Sequence, residues 1–181
     1  MKKLVFAIIA LAASLTASAQ VYLGGSLGFQ RDFNKNTTDF VILPEIGYNF
    51  NDTWAVGGTI GYMHKYENHY KTNVGEISPY ARWTFFRSDN NLVSLFVDGG
   101  VGVGFGSTKY RDFDSESLCI WNIGFKPGIA VHPSKNFTIL AHVGFIGYEG
   151  TDDNAKAAGF TEKFGINATS LNLNLGFYYN F

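Results

Sequence analysis

Seven charged side chains fall within otherwise uncharged, alternating stretches: Arg31 and Asp39 at a strand rim, and five further in, Glu45, Glu76, Arg82, Asp98 and Lys126. Three acids and two bases among apolar neighbours persist only as partners, because an isolated buried charge is very costly. They point to an internal polar network or to a path for ions. Three further patterns bear on chemistry. His132 and Ser134, two apart, are a base and a hydroxyl that could act as a nucleophilic pair. His64 and His69 with Glu67 supply the imidazole and carboxylate types that bind metals. Gly99–Gly106 looks superficially like a phosphate-binding loop, but that motif needs a strand, a tight turn and a helix. Here the glycines fall on alternate positions of one strand, where they leave inward space for bulky neighbours such as Tyr80 or Lys126. Cys119 has no second cysteine to pair with and reads as a small apolar residue. No catalytic, cofactor or metal site is assigned, and no cofactor is expected.

The elements that must position these groups follow from the spacing of apolar residues. Residues 1–19 have a basic start, Lys2-Lys3, an apolar run from Leu4 to Ala13, and the small residues Ala17-Ser18-Ala19. This is the pattern of a cleaved secretory signal peptide, with the cut expected between Ala19 and Gln20. The remaining 20–181 is expected to form a single β-barrel domain. Its dominant signal is strict alternation: Leu171, Leu173, Leu175, Phe177, Tyr179 and Phe181 alternate with Ser170, Asn172, Asn174, Gly176, Tyr178 and Asn180. The same reading predicts eight strands over 21–31, 39–50, 53–64, 74–86, 92–105, 118–132, 137–148 and 168–181. Tight turns alternate with longer polar loops at 32–38, 65–73, 106–117 and 149–167, as in bacterial outer-membrane barrels. Pro44, Pro79 and Pro127 lie within predicted strands and are expected to mark bulges or ladder breaks, since proline has no N–H to give the ladder.

Charge decides which face meets what. Charged residues make up 16% of the chain against about 25% in an ordinary soluble domain, and aromatics make up 17%. Apart from Arg31 at a strand rim, one face of the predicted strands carries no Asp, Glu, Lys or Arg, as lipid contact requires when a basic residue at the bilayer midplane costs roughly 2–4 kcal/mol. Aromatics stand near both strand ends: Phe50, Trp54, Phe85, Phe137, Tyr179 and Phe181 toward one rim, and Phe29, Phe40, Tyr62, Phe105, Trp121 and Phe145 toward the other. Two such girdles are the interface signature of membrane barrels. The opposite face is rich in glycine and asparagine and suits a narrow, side-chain-filled interior. With a net charge of −1, no nucleic-acid-binding surface is indicated.

The signal-like start, the alternating hairpins and the ending Asn174-Leu175-Gly176-Phe177-Tyr178-Tyr179-Asn180-Phe181 resemble the small eight-stranded outer-membrane barrels of the OmpA/OmpX type, the porin-like outer membrane β-barrel domain family. The resemblance implies an all-β, eight-stranded antiparallel up-and-down transmembrane barrel, exported to the bacterial outer membrane and embedded as a monomer among its lipids and lipopolysaccharide. It further implies that Asn174, Gly176, Tyr179 and Phe181 are read by the barrel assembly machinery. A non-enzymatic structural or surface-interaction role through the loops is expected, with a narrow pore for small solutes or ions second and an outer-membrane lipid-modifying enzyme third.

Overall fold

A computed structural model describes residues 20–32, 37–67, 70–110, 116–157, 159–167 and 173–181; the expected signal segment with Ala19, and His69, lie outside them. The alternation is realised as an antiparallel meander of β1 (Val21–Asp32), β2 (Thr37–Asn49), β3 (Trp54–Glu67), β4 (Tyr70–Arg87), β5 (Val93–Tyr110) and β6 (Glu116–Ser134). The seventh wall strand is in two parts, β7 (Phe137–Val143) and β8 (Phe145–Thr151). A short helix, α1 (Asp153–Ala157), follows, and the eighth strand is again in two parts, β9 (Lys163–Asn167) and β10 (Leu173–Asn180). β10 pairs with β1 from Tyr22↔Asn180 to Ser26↔Gly176, which closes the sheet into an eight-stranded barrel.

Closure leaves two surfaces. Outward residues include Ile60 (66% exposed), Phe125 (57%) and Phe105 (64%), an apolar belt that only lipid can satisfy. Rings cluster at the short-turn rim, where Trp54 and Trp83 stack with centroids 6.3 Å apart and Phe137 lies 6.2 Å from Phe177.

The largest differences from the expected boundaries are at the long-loop end. β4, β5 and β6 run to 18, 18 and 19 residues, so much of 65–73 and 106–117 is ladder rather than loop. A bilayer needs only about 9–11 residues per strand, so this wall stands well clear of it. Alternation there is carried by Thr, Lys and Asn, which give no apolar signal. The final strand likewise starts at Lys163, within the segment expected to be loop.

Each of the three prolines interrupts a ladder on one side. The β2–β3 pairing skips Leu43 and Pro44, and the β4–β5 pairing skips Ser78 and Pro79, both without a change of register. Beside Pro127 the register does change: Gly128 pairs with His142 but Phe125 with Ile146, so the seventh strand carries one extra residue. That residue is absorbed at Gly144, whose φ of 145° favours glycine. The bulge reverses the facing of everything after it. Phe145, expected in the outer girdle, therefore points into the lumen, and Glu149 follows it inward.

Candidate functional site: the barrel lumen

The inward residues build three layers. Nearest the short turns is a charged and aromatic layer centred on Arg82. Its Nε donates to Asp98 Oδ1 at 2.6 Å and its Nη2 to Asp98 Oδ2 at 2.7 Å, a bidentate pair. The same Nη2 donates to the Tyr178 hydroxyl at 3.1 Å and lies 3.8 Å from Glu45 Oε1. Glu45 in turn accepts from the hydroxyls of Tyr80 and Tyr178. Tyr80 is bonded to Tyr22 at 2.6 Å, and His142 Nε2 lies 2.8 Å from Asp98 Oδ2. The guanidinium is also 4.1 Å from the centre of the Phe96 ring, and Tyr22 stacks on Tyr178 at 4.9 Å. Three strands supply the charges because Arg82 and Asp98 face one another in register across β4 and β5, while Glu45 reaches in from β2.

The rings fit because glycine lies beneath them. A Cβ on Gly47 would sit 2.1 Å from Tyr22 Cζ, and one on Gly128 would sit 2.4 Å from Phe96 Cζ. A lumen this narrow accepts a layer of tyrosine and phenylalanine only if the neighbouring strand gives up its own side chain.

The outer layer is apolar. Val74 and Leu118 face inward and are buried against Ala155 of α1, with Met63, Ile120 and Phe160 packed around them. Asp152 holds this cap in place. Its Oδ1 accepts from the Ala155 N–H at the start of the helix, its Oδ2 accepts from Cys119 N–H, and Asn154 Nδ2 donates to the Ser117 carbonyl. These bonds also cover the edge of β6 beyond its pairing with β8. On the exposed side of the helix, Lys156 Nζ lies 3.1 Å from Glu162 Oε1, which holds the ammonium above its ordinary pKa range.

Between the two layers lies a chamber of about 520 Å³, lined by Glu76, Ser78, Asn122, Lys126, Glu149 and Lys163 among others. Glu76 Oε1 accepts from Ser78 Oγ at 2.6 Å and Asn122 Nδ2 at 3.0 Å. A Cβ on Gly102 would collide with all three, so the glycine makes room for that cluster. Of the five strand charges singled out in the sequence, Glu45, Arg82 and Asp98 meet directly. Glu76 forms a separate cluster, and Lys126 faces the chamber with no ion pair among the described residues.

Other candidates fall elsewhere. His132 points inward at the short-turn end, its nitrogens taken by Ser94 Oγ and Thr138 Oγ1 at 2.9 Å each, so it engages Ser94 rather than Ser134. His64 bonds to Asn73 Oδ1 at 2.7 Å, and no cluster of three metal-ligating residues occurs among the described residues. At the C-terminus Phe181 N–H donates to the Val21 carbonyl and its ring lies 5.0 Å from Tyr179, while Gly176 pairs with Ser26 and Asn174 with His142. Gln20 begins the described chain, its carbonyl accepting from Asn49 N–H. Sequence reasoning missed Tyr22, Tyr178 and Phe96 as members of the charged layer. It also missed Glu149 and Lys163 as chamber residues, because both lay in an expected loop.

Solved structures with a similar arrangement include the N-terminal β-barrel domain of Pseudomonas aeruginosa OprF, at 14% identity and a TM-score of 0.50, covering 91% of this chain and 98% of that one. Ail, the attachment invasion locus protein of Yersinia pestis, matches at 22% identity and a TM-score of 0.47, covering 90% and 97%. The translocator domain of the autotransporter NalP from Neisseria meningitidis matches at 9% and 0.45, covering 99% and 95%. Among curated proteins none matches significantly. The family model for the outer membrane protein beta-barrel domain matches residues 4–181. With its closed meander, apolar belt and aromatic rims, the chain belongs to that family of bacterial outer-membrane β-barrels.

Proposed function

We propose that the protein is a non-conducting, non-enzymatic barrel that acts as a structural or surface-interaction element of the outer membrane. The observation that carries this reading is the Arg82 layer, in which Glu45, Asp98 and the tyrosines Tyr22, Tyr80 and Tyr178 fill the cross-section with mutually bonded side chains. An ion crossing it would have to separate a buried bidentate pair, which costs several kcal/mol when one partner is left alone. Surface work falls to the long-loop end, where the extended wall of β4–β6 and the cap of α1 present a rigid platform. On this reading the protein sits as a monomer among outer-membrane lipids and lipopolysaccharide. Its signal peptide is removed before Gln20, and Asn174, Gly176, Tyr179 and Phe181 are recognised by the assembly machinery.

The chamber gives the pore reading its one support, since it already hollows part of the lumen. Planar-bilayer recording with the refolded protein separates the two. The plugged reading predicts a silent membrane, whereas reproducible unitary steps from folded protein would replace it with the pore.

A further inference from the structure

The chamber is more than leftover space. Its volume of about 520 Å³ lies within the range of small-molecule sites, roughly 300–1,000 Å³. Its charges are also arranged differently from those of the layer beneath it. There, every charge is answered by a neighbour. Among the described residues the Lys126 and Lys163 ammoniums of the chamber have no ion-pair partner and Glu149 accepts no hydrogen bond. Glu76 is held through Oε1 alone, by Ser78 and Asn122.

The placement of these groups gives the occupant's chemistry. Asn122 and Lys126 are both inward residues of β6, four apart, with Gly124 between them. At about 3.4 Å per residue their backbones are roughly 14 Å apart, and the Phe145 ring lies over Gly124 between them, so an occupant would bridge Lys126 and the Glu76 cluster across that ring. Asn122, Glu149 and Lys163 lie in one row across β6, β8 and β9, so Glu149 adds a second carboxylate at the Glu76 end with Lys163 beside it, while Lys126 stands opposite Asp98 in register, the Asp98 carboxylate being held by Arg82. Val41 and Leu43 of β2 and Leu140 of the seventh strand add apolar lining. A simple anion would meet four lining carboxylates, and a simple cation two free ammoniums. A molecule carrying both charges a few bonds apart satisfies each end. Lys163, one of the lining residues, is exposed, so the lining reaches solvent.

We propose that the lumen chamber binds a small zwitterion of amino-acid to short-peptide size, with its carboxylate on Lys126 and its ammonium on Glu76 and Glu149. Because the site lies outside the Arg82 layer, binding requires no passage through the barrel. It is also independent of any role of the outer surface.

The test is calorimetric titration of the refolded, heat-modifiable protein in detergent with glycine, glycylglycine and triglycine. Parallel titrations use N-acetylglycylglycine, which lacks the ammonium, and glycylglycinamide, which lacks the carboxylate. At least one zwitterion is expected to bind, with each one-charged analogue at least tenfold weaker. Lys126→Met, which keeps the stem that packs in the lumen, and Glu76→Gln are each expected to weaken binding at least tenfold. The gel shift confirms that the variants fold, and Lys163→Gln at the mouth provides a milder second probe. Absence of binding by all three zwitterions would overturn the proposal, as would equal binding of an analogue with only one charge.

Discussion

Replacing Arg82 by methionine removes the guanidinium while keeping an unbranched stem of similar bulk, so the change isolates the charge. Arg82 holds Asp98 through two bonds of 2.6 and 2.7 Å and lies 3.8 Å from Glu45, with the side chains of all three about nine-tenths buried. Without it, among the described residues, Asp98 keeps only His142, and Glu45 keeps only tyrosine hydroxyls. Breaking a buried pair by removing one partner costs about 3–5 kcal/mol, and the lost contact with Phe96 at 4.1 Å adds to this. The expected loss is therefore at least about 3 kcal/mol, which is a shift of roughly two decades in the folding equilibrium. The assay is urea unfolding of protein refolded into vesicles, followed by tryptophan emission and by the gel mobility of unboiled samples. The double variant Arg82→Met/Asp98→Asn provides the internal control. With both charges gone, no lone ion remains at that pair, so it should recover at least half of the loss. A single variant within about 0.5 kcal/mol of the parent would show that the buried pair carries no such cost, as would a double variant whose loss equals the sum of the singles.

Three other outcomes follow from the same geometry. Gly47→Ala drives a Cβ to within 2.1 Å of the Tyr22 ring and should cost about 1–3 kcal/mol in urea unfolding, whereas Gly58→Ala, whose nearest neighbour is 3.8 Å away, should be near neutral. Ile60→Arg places a cation on the lipid face near mid-strand and should cost about 2–4 kcal/mol in vesicles; no change would mean that this face does not meet the bilayer core. Removal of Phe181, 37% exposed and bonded only at its backbone N–H to Val21, should leave stability in vitro within about 1 kcal/mol while lowering the amount reaching the outer membrane several-fold, as quantified by immunoblot of membrane fractions.

How much was legible in the sequence depended on whether a side chain's environment follows from period-two alternation alone. For Arg82, Asp98 and Glu45 it does: the parity of each strand puts them inside, and the register of β4 on β5 sets Arg82 against Asp98, whereas Glu76 and Lys126, inward by the same parity, lie apart from them. Tyr178 shares that parity, yet its phenol reads equally as a polar-face residue or a rim aromatic, and only the register of β10 on β1 brings it to Arg82. Phe145 shows where parity fails. One extra residue at Gly144 inverts the facing of the rest of the seventh strand, and nothing in the local composition except a glycine marks it. The outer halves of β4–β6 were hidden for another reason. There the outward face is wet and the inward face carries Thr72 and Thr108, buried and hydrogen-bonded to each other, so the apolar alternation that signals a strand is absent although the ladder continues.

The claim on which the rest depends is that this chain is a closed barrel in the outer membrane. Fractionation of cells expressing it, with unboiled and boiled samples run side by side, tests that claim directly. The account predicts a protein in the outer-membrane fraction whose unboiled form migrates faster than its boiled form. A protein recovered in the soluble periplasmic fraction, running identically with and without heating, would contradict it.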